Sequence, residues 1–177
     1  MDRVTGRVRI YESVPATSPY RVDIVPSTIL VRTASFKQVR GFDNSYFATF
    51  EDSDFCLRLR DRGCLTFVVP AARGVHITPS DPDVQQARIL NRAFYIGRNR
   101  ILFMHDHSSS LIFAAFSILF LPSYLIVYAG MFLRFDLKRH IKSYLKGVLD
   151  AYYVLINSER RDSLRLGLSV ALAPEVE

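Results

Sequence analysis

Apolar residues change their spacing along this chain, and each change predicts an element. Met1 to Tyr20 is polar and broken by Pro15 and Pro19, which predicts an irregular lead-in over residues 1–21 with at most an edge strand at Arg7 to Tyr11. Val22, Ile24 and Val25, then Ile29, Leu30 and Val31, are separated by Pro26 and predict two extended pieces, the second a buried strand. Thr33 is placed to cap a short helix through Val39, with Phe36 and Val39 on one face and Gly41 at its end. After three aromatics, Tyr46, Phe47 and Phe50, the run Glu51-Asp52-Ser53-Asp54 opens a stretch of helical spacing to Arg62. Phe55 and Leu59 share one of its faces, and Asp54 and Arg58 pair at i,i+4 on another. Gly63 closes that helix, Leu65 to Val69 predicts a buried strand stopped by Pro70, and Gly74 to Ile77 is a further extended piece carrying His76.

The second half is helical in pattern. Asp81-Pro82 caps a long helix from about Asp83 to Met104, with Val84, Ala87, Leu90, Ala93, Phe94, Gly97, Ile101 and Met104 as one apolar stripe. Leu111 to Leu133 holds 23 residues without a charge, enough for a membrane segment at the usual requirement of about 20 residues, with a buried core helix as the alternative. Pro122 in its middle fits a kinked spanning helix, a re-entrant segment or an in-plane hairpin. Arg139 to Ile156 sets Ile141, Tyr144, Leu145, Val148 and Leu149 against Lys138, Lys142 and Lys146, an amphipathic helix suited to a membrane surface. The organisation expected is therefore a soluble part over 22–104, a membrane segment over 105–135 and a juxtamembrane helix and tail over 136–177.

Charge sharpens this division. The net charge is +6, and much of the excess flanks the apolar stretch: Arg88, Arg92, Arg98 and Arg100 before it, Arg134, Lys138, Arg139, Lys142 and Lys146 after it. That placement suits an anionic membrane face and excludes nucleic acid as the expected partner, since no motif beyond charge supports it. Cys56 and Cys64 are the only cysteines and lack metal or redox spacing. The N-terminus MDRVTGRVRIYES has no apolar core for a signal peptide, so the soluble part is expected on the cytoplasmic side of the cell membrane.

The candidate chemistry lies between Gly41 and His76. Glu51 and Asp52 fall at a helix N-terminus, whose partial positive charge favours ionised carboxylates and equally makes acids there common as plain caps. Aromatics before the pair and a histidine after it suit a sugar-binding wall, a general base and a metal or phosphate contact. Arg98, Asn99 and Arg100 suit phosphates, although two arginines just before an apolar segment are more often headgroup anchors. His105-Asp106-His107 fits a solvated interfacial loop.

Gly41-Phe42-Asp43, Tyr46-Phe47, Phe50-Glu51-Asp52-Ser53-Asp54-Phe55-Cys56-Leu57-Arg58-Leu59-Arg60, Gly63, Val69-Pro70-Ala71, His76 and Tyr95-x-x-Arg98-Asn99-Arg100 together resemble family 2 glycosyltransferases of the rhamnosyltransferase-like group. The resemblance covers about residues 22 to 157 and corresponds to the C-terminal half of the catalytic domain. It implies an α/β fold, a partial GT-A domain followed by a long helix, a membrane helix and an amphipathic helix. It also implies inverting, non-processive transfer from a nucleotide-sugar donor to a hydroxyl of a glycan or lipid-linked acceptor. Asp52 is then the base that takes the acceptor proton, and Glu51 positions the acceptor or Asp52 itself. Tyr46, Phe47, Phe50 and Asp54 bind the acceptor, Arg98 and Arg100 contact phosphate, and His76 helps hold Mn²⁺ or Mg²⁺ on the donor diphosphate. Asp52-x-Asp54 spells the metal motif of such enzymes, yet it opens a helix instead of ending a strand, so it is not expected to serve as one. Gln85-x-x-Arg88 lacks the tryptophan of processive synthases, and the chain has no Trp.

A nucleotide-sugar site of this kind is built where loops leave parallel strands, and 21 residues before Val22 do not hold those strands. The expectation is a partial enzyme, either a fragment or truncated reading frame or a chain whose donor half comes from another polypeptide, with an inactive membrane-anchored remnant or interaction module as the alternative.

Overall fold

The computed structural model of the chain describes residues 17–25, 28–75, 77, 81, 84, 92–134 and 138–166. The expected Arg7–Tyr11 strand, His76, most of the first third of the long helix and the tail beyond 166 lie outside them. The described residues are mostly helical, with one small antiparallel sheet of β1 (Tyr20–Val22) and β2 (Thr66–Val68), in which Arg21 faces Phe67. The run Ile29–Val31, expected as a buried strand, is not a strand, and Leu30 is wholly exposed. Its neighbours Ile29 and Val31 pack instead beneath a short helix, α1 (Thr33–Gln38). Thr33 is the first residue of that helix and Arg32 precedes it as the cap.

Both short helices end by the same backbone device. After α1, the Arg40 and Gly41 amides donate to Lys37 O and Phe36 O, with both residues left-handed (φ 61° and 70°). After α2 (Glu51–Asp61), the Gly63 and Cys64 amides donate to Arg60 O and Leu59 O, with Gly63 at φ 79°. Each is a six-to-one and five-to-two closure that satisfies carbonyls a helix end leaves bare. The expected Asp54–Arg58 pair forms at 2.8 Å, and Arg58 also donates to Val39 O (2.6 Å) and Gly41 O (2.9 Å), tying α2 to the turn after α1. Phe55 and Leu59 fill the small cluster beneath that tie.

The main core is built by three helices. Helix α3 (Ala93–His107) is buried on nearly every side, so its apolar stripe is not its only inward face. Helix α4 spans Ser110–Arg134, 25 residues or about 37 Å at the α-helical rise. It starts on Ser109, whose hydroxyl accepts from the Ile112 amide, and passes through a π-helical turn at Phe116–Phe120. Pro122 lies two residues past the end of that turn, after Leu121. A proline has no N–H for the carbonyl four residues back and its ring crowds that carbonyl, and a one-turn change of register relieves both.

Helix α5 (Lys138–Ile156) then returns along α4: Phe132 meets His140, Tyr128 stacks on Tyr144 at 4.9 Å between ring centroids, and Phe113 meets Tyr152. The same face crosses α3 at two glycines. A Cβ on Gly147 would sit 2.0 Å from Phe94 O, and one on Gly97 would sit 2.5 Å from Tyr144 O, so the two backbones touch where side chains would hold them apart. Tyr144 and Val148, part of the expected membrane-surface face, are buried by this packing. Asn157 ends α5 and caps α6 (Ser158–Arg165), accepting from the Arg160 amide at 3.1 Å.

Candidate functional site

The stretch between α1 and α2 is a loop held open by backbone geometry. Asp43 starts it as an Asx turn, its side chain accepting from the Ser45 amide at 2.8 Å. Ala48 and Phe50 then take left-handed conformations, φ 66° and 69°. For a phenylalanine this is costly and persists only where the surroundings impose it. Here they do. Asn99 on α3, fully buried, donates through Nδ2 to Phe47 O (3.0 Å), Thr49 O (2.9 Å) and Thr49 Oγ1 (3.1 Å). Arg98 beside it donates to Ser45 O at 2.8 Å and pairs with Asp150 of α5, also at 2.8 Å.

A second set of ties closes the loop from below. The Tyr46 hydroxyl donates to Asp106 Oδ2 at 2.6 Å, and Asp106 is also paired with Arg161 of α6. Burial pushes the Asp106 carboxyl up, but the Arg161 charge and hydrogen bonds from Tyr46, His105 and Arg161 outweigh it and leave the group below its ordinary value. Burial, with Asp106 next to it, holds the Tyr46 phenol well above its ordinary range, so it stays a neutral donor. Arg165 reaches Asp43 at 3.3 Å, and Asn44 donates to Arg165 O. A helix that follows the apolar segment thus grips the loop that precedes it.

What these ties hold in place is a pocket of about 290 Å³, open to solvent and lined by Phe42, Asp43, Asn44, Tyr46, Phe47, Ala48, Glu51 and Asp52. The two acids begin α2, where the helix dipole favours negative charge. Glu51 is the perturbed one of the two. Burial pushes its carboxyl above the ordinary glutamate value, the Asp52 charge adds to this, and Oε2 meets no hydrogen-bond partner among the described residues. Of the residues expected to form the site, Tyr46, Phe47, Glu51 and Asp52 are brought together here.

The others lie elsewhere. Phe50 turns under the core, against Phe103 and the Arg100 guanidinium. Asp54, expected at the acceptor, is buried and holds Arg58 and His107 Nε2 (2.9 Å). Arg98 and Arg100, expected at phosphates, are committed to internal partners: Arg98 to Asp150 and Ser45, Arg100 to the Tyr124 ring at 4.0 Å. His105-Asp106-His107, expected as a solvated loop, forms the last turn of α3 with Asp106 and His107 directed inward. His76 is outside the described residues. No group of three His, Cys, Asp or Glu side chains able to hold a metal occurs among the described residues. Asn99, which the sequence offered beside Arg98 and Arg100 as a phosphate contact, is instead the buried donor that holds this loop. Its signal is its place between two arginines on a helix, an odd site for a small amide unless its partners are inside.

Over 102 residues the chain is 34% identical to Rhamnosyltransferase WbbL of Escherichia coli (strain K12), a match covering 50% of this chain and 37% of that protein. A 50-residue stretch is 46% identical to the N-acetylglucosaminyl-diphospho-decaprenol L-rhamnosyltransferases of Mycobacterium tuberculosis strains CDC 1551 / Oshkosh and ATCC 25618 / H37Rv, 28% of this chain and 16% of each of them. The chain thus spans well under half the length of the curated relatives it matches. No family model matches it, and no solved structure matches it. This partial homology supports a glycosyltransferase-like family and glycosyl transfer in general.

Proposed function

We propose that these residues form the acceptor-binding, base-carrying part of a membrane-associated glycosyltransferase that transfers rhamnose or a related sugar from a nucleotide donor to a hydroxyl of a glycan or lipid-linked acceptor. The observation that carries it is the pocket itself: the exposed Phe47 and the buried Tyr46 line one cavity with two carboxyls at the start of a helix, held by buried polar ties. The acceptor stacks on the exposed Phe47 ring and presents its hydroxyl to Asp52. As the hydroxyl oxygen bonds to the anomeric carbon, its proton passes to the Asp52 carboxylate and the bond to the nucleotide diphosphate breaks, with inversion at that carbon. Glu51, half-buried beside it, orients the acceptor through its carboxyl.

The donor half belongs to polypeptide beyond these residues in this proposal. Leu65, Phe67 and Val69 alternate along the exposed side of β2 and offer an apolar row on which a larger sheet would pack. A divalent cation held by His76 would neutralise the leaving diphosphate, and it enters by resemblance only. No step above runs through it.

The test is sugar transfer to a lipid-linked acceptor in membranes where the chain is joined to a donor-binding half. Asp52→Asn is expected to lower the rate by about 10²–10⁴-fold, with helix content and melting temperature unchanged. Undiminished transfer in that variant ends the role assigned to Asp52.

A further inference from the structure

We infer that α4 does not cross the membrane but lies in its surface, so that α4 and one edge of α5 form a single lipid-binding face on an anionic leaflet. The inference rests on the membrane association in the function proposed above and adds its geometry.

Among the described residues α4 is the helix long and apolar enough to span a bilayer. Its neighbours do not allow it to do so alone. Tyr128 opposite Tyr144, Phe132 opposite His140 and Phe113 opposite Tyr152 show α5 running beside α4 over almost its whole length. Arg100 over the Tyr124 ring, and His105 against Phe113, show α3 doing the same over its first two-thirds. A bilayer core takes about 20 helical residues, so sinking α4 upright would carry α3 and α5 with it. The pairings set Lys146 and Asp150 level with the middle of α4, and the Arg98–Asp150 pair lies at the same depth. Each charge at the centre of a bilayer costs roughly 2.5–3.5 kcal/mol even on the most lenient scale. Lys142 and Lys146 are solvent-exposed, so in that orientation their charges would meet lipid.

The exposed surface is arranged for the other orientation. On α4 the side turned away from α3 and α5 carries Leu111, Ile118, Leu119, Ile126, Val127 and Leu133, each more than half exposed. This is one stripe at helical spacing, far larger than the scattered apolar residues of a soluble surface. It continues onto α5. Ile141 and Tyr152 pack with the core beside α4, and one step further round the helix Leu145, Leu149 and Ile156 are exposed, Ile156 to 86%. Lys142 and Lys146 stand next along that rim, with Arg134 at the end of α4. An apolar face edged by basic residues fits a helix lying about 5–10 Å deep among headgroups and acyl chains, with its cations on anionic lipid. The Glu51–Asp52 pocket then stays on the same side of the membrane as both ends of α4.

Single cysteines placed at the two ends of α4, Ser110→Cys and Arg134→Cys, in the full chain with Cys56→Ala and Cys64→Ser, read the orientation directly. In sealed inside-out membrane vesicles an impermeant maleimide is expected to label both fully, with no gain on adding detergent. Labelling of one end only after detergent means a spanning helix and overturns the inference. A chain that does not sediment with membranes overturns the membrane association beneath it as well. Labelling of both ends without detergent together with absent sugar transfer would sustain the in-plane helix and remove the enzymatic function instead. The basic rim is read with purified chain on vesicles of phosphatidylcholine with and without phosphatidylglycerol. Lys142→Gln and Lys146→Gln should each weaken binding to the anionic vesicles roughly fivefold, and an unchanged affinity would remove the rim from the lipid-binding face.

Discussion

Helices α3 and α4 are neighbours in sequence and in space, and they invert each other's chemistry. Helix α3 buries an arginine and an asparagine completely, while α4 leaves leucine, isoleucine and valine exposed along its length. Neither breaks the rule that polar groups need partners and apolar groups avoid water. Arg98 and Asn99 are inside because a loop full of bare carbonyls and an aspartate are inside with them. Ile118 and Ile126 are outside because the surface they meet is taken to be lipid. What surrounds a residue, and not its type, decides where it is stable.

Breaking the polar half should have the largest effect. Arg98→Met strips Asp150 of a buried partner and Ser45 O of its donor, and is expected to cost about 3–5 kcal/mol in denaturant unfolding. Arg98→Met with Asp150→Leu should recover part of that loss but not all, because the Ser45 carbonyl still lacks a donor. Full recovery would mean that the loop tie contributes nothing.

Asn99→Ala comes next. It leaves the Phe47 and Thr49 carbonyls bare, at about 1–3 kcal/mol, and frees the left-handed turn at Ala48 and Phe50. Amide exchange over residues 46–51 should quicken more than in α5, and uniform change across the chain would argue against a local hold.

On the apolar half the expectation reverses. Ile126→Ser should alter unfolding by no more than about 0.5 kcal/mol, yet weaken vesicle binding by roughly tenfold through the lost transfer of its side chain. A large loss of fold stability instead would mean that this face packs against protein.

The smallest effect is at Glu51. Burial raises its carboxyl in the folded chain, so the folded state keeps a proton that the unfolded chain has released. Stability from this group is therefore present below the ordinary glutamate value and declines as pH rises through the raised one. Glu51→Gln cannot titrate, so its melting temperature should gain on wild type across that interval and run parallel to it outside.

Much of the local structure was legible in the chain. The start of α2 at its acids, its close at Gly63, the Asp54–Arg58 pair and the uncharged run over Leu111–Leu133 all follow from short-range spacing. Short-range rules went astray where the environment was remote. Ile29–Val31 has strand composition but forms no ladder, so Leu30 faces outward. His105-Asp106-His107 looks like a polar loop until Asp54 and Arg161 supply partners from positions more than fifty residues away. Tyr46, Phe47, Glu51 and Asp52 were identifiable as pocket residues because they are adjacent in sequence. The ties that hold the pocket were not, because they join the loop to α3 or directly to α6, and α3 in turn to α5 or α6.

By itself the sequence determined most of the helical segments, where an acid pair meets a helix start, and that one long segment is uniformly apolar. Those properties depend on residues within a turn or two of one another. Only the tertiary structure decided that Arg98 and Asn99 point inward to hold a left-handed loop, and that α4 has polar helices beside it along most of its length. Both are matters of which partner arrives from elsewhere in the chain. A buried polar group or an apolar surface takes its meaning from that partner.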